Sequence, residues 1–236
     1  MFSIFLGKFI RHLNNYFTRF KKILWFFSCS VIFITSLFFG DDVLSLIASL
    51  IGVTSLIFCA KGNPIGQFLM ILFSLLYGYI SYTFSYYGEM FTYLGMTMPR
   101  ATFSLITWLK NPYKGNRNEV TISLLKAKDY IVLIFLTVFV TFIFYYILSY
   151  FNTSYLALST VSIATSFFAV YLTLKRSHFY AIAYACNDII LIFLWTLASI
   201  ENSSYIPLII CFIIFLINDL YGFINWKRIM KRQMAF

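Results

Sequence analysis

All but one of the 18 lysines and arginines in this chain lie outside its long apolar runs, and they occupy only every second connection. Lys8, Arg11, Arg19, Lys21 and Lys22 precede the first run, and Lys61 follows the second. Lys110, Lys114, Arg117, Lys126 and Lys128 follow the fourth run, Lys175 and Arg176 the sixth, and Lys227, Arg228, Lys231 and Arg232 the eighth. The intervening connections hold Asp41, Asp42, Glu89 and Glu201, and no Lys or Arg. Basic residues in short loops stay on the cytoplasmic side, so this alternation demands eight crossings with both termini cytoplasmic. Runs of the length a bilayer needs, about 17–25 residues, fall at about 23–40, 43–60, 65–87, 89–109, 130–150, 155–174, 178–199 and 204–226. With 61% hydrophobic and only 11% charged residues, against about 25% charged in a soluble domain, the chain is an all-α membrane protein whose partner is the lipid bilayer.

The net charge of +10 would point to nucleic acid in a soluble protein; here topology accounts for it, and no nucleic-acid partner is expected. Cys29, Cys59, Cys186 and Cys211 sit singly inside apolar runs and are expected to be buried thiols. His12 and His178 stand alone, so no metal site is expected. No nucleophile–base pair or glycine-rich phosphate loop is present, which argues against an enzyme and against a cofactor. No cleavable signal peptide is evident. Phe2, Phe5, Phe9, Leu13 and Phe17 have helical spacing among basic residues, as in a segment lying on the inner leaflet or anchoring topology.

Residues 102–110 read Thr-Phe-Ser-Leu-Ile-Thr-Trp-Leu-Lys and 220–228 read Leu-Tyr-Gly-Phe-Ile-Asn-Trp-Lys-Arg. Each closes an apolar run with an aromatic, a small residue, an Ile, a Trp and positive charge, roughly 118 residues apart. Aligned on Trp108 and Trp226, Arg100 falls opposite Asn218 and Ser104 opposite Gly222; further back, after a small gap, Lys61 falls opposite Lys175. Each repeat then has three spans, an odd number, and the fifth span restores the direction of the second copy. The predicted fold is eight transmembrane helices: one N-terminal extra helix and a 3+1+3 parallel-repeat core, a known transporter plan. The chain divides into a basic amphipathic segment (1–22), the extra helix (23–42), the first three-helix repeat (43–110), a cytoplasmic loop and linker helix (111–154), the second repeat (155–226) and a basic cytoplasmic tail (227–236).

Arg100, Asp188 and Asp219 are the ionisable residues left inside spans. A charge at mid-bilayer costs about 2.5–3.5 kcal/mol on insertion scales, so each should face the interior with a partner; Arg100 pairing with Asp188 or with Asp219 is one solution. Tyr180, Tyr184, Asn187, Asp188 and Trp195 share one face of the seventh span, and Cys211, Phe215, Asn218, Gly222 and Asn225 one face of the eighth, flanked by Asp219, Tyr221 and Trp226. Aromatic rings can sandwich a planar ligand and a carboxylate favours a cationic ring; Asn side chains both donate and accept, as a ribose or carboxamide requires. The third span carries Gln67, Ser74, Gly78, Ser81 and Ser85, a stripe that also suits close helix packing. Interfacial belts are the simpler reading of Trp108, Tyr82, Tyr86 and Tyr87; for Trp226, beside four basic residues, a belt and a functional role stand equally. Asn63-Pro64 makes a good helix start, Asp42 can cap the second span, and Pro99 should kink the fourth.

Gly-Asn-Pro-Ile-Gly-Gln (62–67), Tyr-Tyr-Gly-Glu-Met (86–90), Trp-Leu-Lys-Asn-Pro (108–112), Asn-Asp-Ile-Ile-Leu-Ile-Phe-Leu-Trp (187–195) and Ile-Asn-Asp-Leu-Tyr-Gly-Phe-Ile-Asn-Trp (217–226) together resemble the PnuC-type nicotinamide riboside (nicotinamide mononucleotide) transporter family, from about Val43 to Lys231. The resemblance implies a relationship to SWEET-like carriers, a homotrimer, and uptake of a vitamin-like nucleoside by facilitated diffusion with trapping by a downstream cytoplasmic kinase. Many members carry a Trp-x-x-Trp pair where this chain has Tyr180 and Tyr184, and relatives with altered pockets take thiamine, riboflavin or deoxynucleosides. The expected substrate-binding residues are Gln67, Arg100, Tyr180, Tyr184, Asn187, Asp188, Trp195, Asn218, Asp219 and Tyr221, in a multi-pass plasma-membrane protein. Two alternatives are a proton-coupled symporter using Asp188 or Asp219, and a membrane substrate-binding subunit that needs an energising partner.

Overall fold

The computed structural model describes residues 18–39, 43–83, 90, 92–153, 155–201 and 206–235. The amphipathic pattern of residues 1–17, the Asp42 cap, Ser85 and the Tyr86–Tyr87 pair lie outside the described residues. Within them are eight α-helices: α1 (Arg19–Phe39), α2 (Val43–Ala60), α3 (Ile65–Thr83), α4 (Met98–Leu109), α5 (Ala127–Tyr150), α6 (Leu156–Leu174), α7 (Tyr180–Glu201) and α8 (Ile206–Met234). Six of them, α1, α2 and α5 to α8, are long and apolar enough to cross a membrane, and α3 contributes the shorter apolar stretch Ile65–Ile80.

The fourth crossing is where local chemistry overrides the simple helix. Pro99 has no N–H for the carbonyl four residues before it, and the chain takes a π-helical course over Thr92–Thr97 directly before α4. The irregularity thus precedes Pro99 as a wider turn. Beyond α4 the polar stretch folds as a hairpin of β1 (Pro112–Tyr113) and β2 (Asn116–Val120). Its two-residue loop, Lys114-Gly115, has φ of 48° and 80°, the paired positive values of a type I′ turn. Helix α8 continues to Met234, so most of the expected basic tail is helix. The expectation of four buried thiols also needs correction: Cys59 is buried, Cys29 and Cys211 are half-buried, and Cys186 is exposed on α7.

Consecutive helices pack on one another from α1 to α4 and from α5 to α8, and two further contacts cross the molecule: α2 against α8 and α4 against α6. Helix α1 rests on both α2 and α8, whereas α5 packs on α6 and buries one residue, Leu133. The main core lies at the end of the bundle that holds the basic residues. It combines Trp108, Trp226, Tyr180, Leu172, Leu133 and Ile229 with Val120 and Ile122 from the hairpin segment.

The two turns at this basic end follow one pattern. After α2, Gly62 N–H donates to the Cys59 carbonyl (2.8 Å) and Asn63 N–H to the Phe58 carbonyl (3.1 Å); after α6, Arg176 N–H donates to Thr173 (3.0 Å) and Ser177 N–H to Leu172 (2.9 Å). Both are Schellman closures of a helix C-terminus, and Gly62 and Arg176 hold the left-handed residue at φ of 69° and 55°. Each turn ends in a side-chain cap for the next helix: Asn63 Oδ1 accepts from Ile65 N–H at 2.9 Å, and Ser177 Oγ from Phe179 N–H at 3.3 Å. The hairpin segment straps across both turns. Val120 N–H donates to the Gly62 carbonyl at 2.9 Å and Ser123 N–H to the Arg176 carbonyl at 3.1 Å.

Candidate functional site

Trp108 ends α4 and Trp226 lies on α8, each wholly buried, with ring centroids 5.4 Å apart. The interfacial-belt reading of these two residues therefore fails. Their indole N–H groups reach in opposite senses across the molecule: Trp108 Nε1 donates to the Thr173 carbonyl at the end of α6 (3.2 Å), and Trp226 Nε1 to the Cys59 carbonyl at the end of α2 (2.9 Å). A buried indole needs such an acceptor, and helix C-termini have carbonyls to spare. Tyr180 completes the cluster, edge-on to Trp226 at 4.7 Å and to Trp108 at 6.4 Å.

From this aromatic floor a line of polar groups runs into the bundle between α2, α3, α4, α7 and α8. Tyr184, one turn beyond Tyr180, stands edge-on to it at 6.2 Å. Its hydroxyl accepts a hydrogen bond from Arg100 Nη1, and the guanidinium also lies over its ring, 5.2 Å from the centroid. Asp219 is buried within electrostatic range of the Arg100 guanidinium and beside Cys59, Tyr180 and Tyr184, and it faces the carboxyl of Asp188. Asp188 is 4% exposed, and its Oδ2 has no hydrogen-bond partner. Gln67, 3% exposed, donates from Nε2 to Cys59 Sγ at 3.4 Å. Arg100 makes no ion pair with either aspartate: the pairs among the described residues are Lys175–Asp129 and Arg232–Glu119. A phenol has taken the place the charge balance assigned to a carboxylate.

The structure thus brings Gln67, Arg100, Tyr180, Tyr184, Asp188 and Asp219 into one constellation. The remaining expected residues lie around it. Asn187, next to Asp188, turns to α6, where its Oδ1 accepts from Thr165 Oγ1 (2.8 Å) and Ser166 Oγ (2.9 Å). Asn218 turns to α1, donating from Nδ2 to Ser28 Oγ (3.0 Å) and to the Ile214 carbonyl (2.8 Å), with its Oδ1 buried and unpartnered. Trp195 is half-buried further along α7. Tyr221 packs on Phe20 of α1, ring centroids 5.2 Å apart, on the far side of α8 from the carboxyls. Sequence reasoning missed Cys59, Thr165 and Ser166 as neighbours of these groups. The density of hydroxyls on α6, from Thr160 to Ser166, is the signal that could have found the last two.

In the third span the small residues serve packing as well as polarity. A Cβ on Gly66 would meet Cys59 Sγ at 2.5 Å, Cys59 N at 2.6 Å and the Ser55 carbonyl at 2.8 Å, and one on Gly78 would meet Leu94 at 2.5 Å. Gly66 lets α3 touch the backbone of α2, which is what places Gln67 against Cys59. Ser74 Oγ satisfies itself on the Met70 carbonyl at 2.8 Å.

Residues 42–228 match the model of the nicotinamide mononucleotide transporter family. The chain is 27% identical over 228 residues to the nicotinamide riboside transporter PnuC of Neisseria mucosa, spanning 94% of this chain and 86% of that one. It is 25% identical over 193 residues to the nicotinamide riboside transporter PnuC of Haemophilus influenzae, spanning 81% and 82%. Its fold is similar to the crystal structure of the vitamin B3 transporter PnuC, with a TM-score of 0.78 at 25% identity over 92% of this chain and 94% of that one. An eight-helix bundle with a polar line through its interior, closed at one end by paired tryptophans, is a multi-pass membrane transporter rather than an enzyme, and the chain belongs to the nicotinamide mononucleotide transporter family.

Proposed function

We propose that this protein is a plasma-membrane facilitator for nicotinamide riboside or a close relative, the class of compound named for its relatives. The observation that carries the reading is the constellation of buried Tyr180, Asp188, Asp219 and Gln67 with half-buried Tyr184. Its rings suit a planar heterocycle, and its facing carboxyls suit the positive charge of a pyridinium ring. Trp195 would extend the stack. Gln67 has given its amide N–H to Cys59 and keeps its oxygen as an acceptor; the amide oxygen of Asn187 is taken by two hydroxyls, which leaves its NH2 to donate. The free Oδ1 of Asn218 adds another acceptor. Such a set matches a ribose and a carboxamide. Arg100 orients the Tyr184 phenol, and Tyr221 steadies α8 against α1.

The same reading takes the molecule as one extra helix, α1, followed by three-helix repeats α2–α4 and α6–α8 joined by α5, divided at the boundaries expected above. The exchanged indole hydrogen bonds and the crossed contacts α2–α8 and α4–α6 support it, because a two-fold axis along the membrane normal generates such reciprocity. The basic end is then cytoplasmic, with both termini on that side. Rocking of the two units alternates access, as in SWEET-like carriers, in a homotrimer whose cargo a cytoplasmic kinase traps. A second reading, a proton-coupled symporter, draws on the facing carboxyls of Asp188 and Asp219. Uptake of labelled nicotinamide riboside by proteoliposomes tests both. Tyr184→Ala and Asp219→Asn should each lower saturable uptake at least about tenfold; undiminished uptake in both variants removes the assigned site. Uptake by the unaltered protein that follows an imposed pH gradient would favour the symporter.

A further inference from the structure

The hairpin that follows α4 is carried by one side of the molecule and holds on to the other. Thr121 N–H donates to the Asn111 carbonyl just past α4 (2.8 Å), its hydroxyl to the Pro112 carbonyl (3.1 Å), and Val120 N–H reaches the Gly62 carbonyl between α2 and α3. The partners on the opposite side belong to α6 and α8. Ser123 N–H donates to the Arg176 carbonyl after α6, Arg232 of α8 pairs with Glu119, and Gln233 commits both ends of its amide to the segment. Its Oε1 accepts from Ile122 N–H at 2.8 Å, while its Nε2 donates to the Val120 carbonyl at 3.0 Å and to Glu119 Oε1 at 2.8 Å. A side-chain amide thus grips the segment's backbone much as a neighbouring strand would. Helix α4 stops at Leu109, directly after Trp108, whereas α8 runs on from Trp226 to Met234. A helix of 29 residues is about 44 Å long against a hydrocarbon core of about 30 Å, long enough for its last turns to stand clear of the membrane.

Val120 and Ile122 are 1% and 9% exposed, and their side chains pack into the same core as Trp108 and Trp226. The segment therefore lies against the tryptophan crossing that closes the basic end, and it is bonded to both halves. On the two-unit reading given above, on which this inference rests, α2–α4 and α6–α8 rock to alternate access. Parting them at the basic end must then break one set of these bonds. Slack in the chain cannot absorb the motion, because the stretch from Val120 to Ser123 spans at most about 11 Å when fully extended. We propose that the hairpin segment is a latch on the inner gate: the first unit carries it, it fastens on Arg176, Arg232 and Gln233 of the second, and it must let go before cargo leaves. Gln233 is the central catch, since one amide holds Glu119, Val120 and Ile122 together.

Two variants of the full chain test it. Glu119→Cys with Gln233→Cys, joined in detergent by a short bis-methanethiosulfonate, cannot unlatch; the unaltered protein treated alike controls for exposed Cys186. After reconstitution, saturable uptake of nicotinamide riboside should fall at least about tenfold. Thermal stabilisation by that nucleoside should persist, and a reductant should restore uptake. Uptake undiminished by the bridge, or loss of the nucleoside's stabilising effect, overturns the latch. Gln233→Ala removes three hydrogen bonds at once, so hydrogen exchange over residues 120–123 should quicken at least about tenfold while α5 is unchanged. Exchange that stays the same there, or quickens equally throughout the bundle, also overturns it. This second readout needs no cargo. A protein that takes up no nicotinamide riboside, yet whose exchange answers to Gln233→Ala in this way, sinks the cargo assignment and leaves the latch standing.

Discussion

The two turns at the basic end match hydrogen bond for hydrogen bond, whereas the helices that lead into the membrane from them do not. At the turns, Gly62 and Arg176 take the same left-handed conformation, and Asn63 and Ser177 cap in the same manner. A few residues further along, Gly66 lets α3 press on the backbone of α2, while the equivalent stretch of α7 carries Tyr180 and its ring fills the space between the tryptophans. Arg100 on α4 stands where α8 has Asn218, and Ser104 where it has Gly222. Backbone geometry is held alike at the two turns, and the side chains of the helices that follow them differ. The turns match and the polar groups beyond them do not.

The largest test of the symmetric part is removal of an exchanged indole. Trp108→Ala and Trp226→Ala should each cost about 3–5 kcal/mol, read as loss of thermal stability in detergent, and the two values should agree closely. A large difference between them breaks the equivalence of the two crossings. Gly66→Ala should cost about 1–3 kcal/mol by overpacking, because the added methyl meets backbone atoms of α2 that cannot yield. Its positional equivalent, Tyr180→Phe, should leave stability nearly unchanged, since the ring and its contacts remain. In the asymmetric interior, Asp219→Asn should lower uptake at least about tenfold, the equivalent of about 1.4 kcal/mol, with a much smaller change in melting temperature. The smallest effect sharpens the comparison most: Asn63→Ala and Ser177→Ala should each cost about 1 kcal/mol. Matching losses in chemical denaturation would show that the two caps do the same work.

Much of this arrangement was legible in the chain because it rests on periodicity and on charge. The alternation of basic connections gave the helix count, and Asn63-Pro64 marked a helix start that the cap at Ile65 N–H realises. The shared face of Tyr180, Tyr184 and Asp188 followed from helical spacing alone. What was hidden depends on distances between helices. Charge counting paired Arg100 with an aspartate, but the geometry of α4 against α7 offers it a phenol ring and hydroxyl first. Asn187 and Asn218 have helical positions that face the interior, yet hydroxyls on α6 and α1 capture them. Trp108 and Trp226 look like interfacial anchors in one dimension; only the crossing of α2 with α8 and of α4 with α6 turns them inward. The π-helical course before Pro99 relieves a backbone conflict that a hydropathy pattern does not register.

Helix α5 buries a single residue and leans on α6. Its apolar character is spread evenly around its circumference, so no face is specialised for an internal partner. Such a helix is a connecting path for the chain, carrying it from the hairpin segment to α6. Its sequence is accordingly free to drift among apolar residues, and it is a natural place to open the covalent chain. Two polypeptides divided there, one ending with the hairpin strap and one beginning at α6, keep every exchanged indole bond and both strap contacts at the turns. Joined only by those crossings, they should find each other in the membrane.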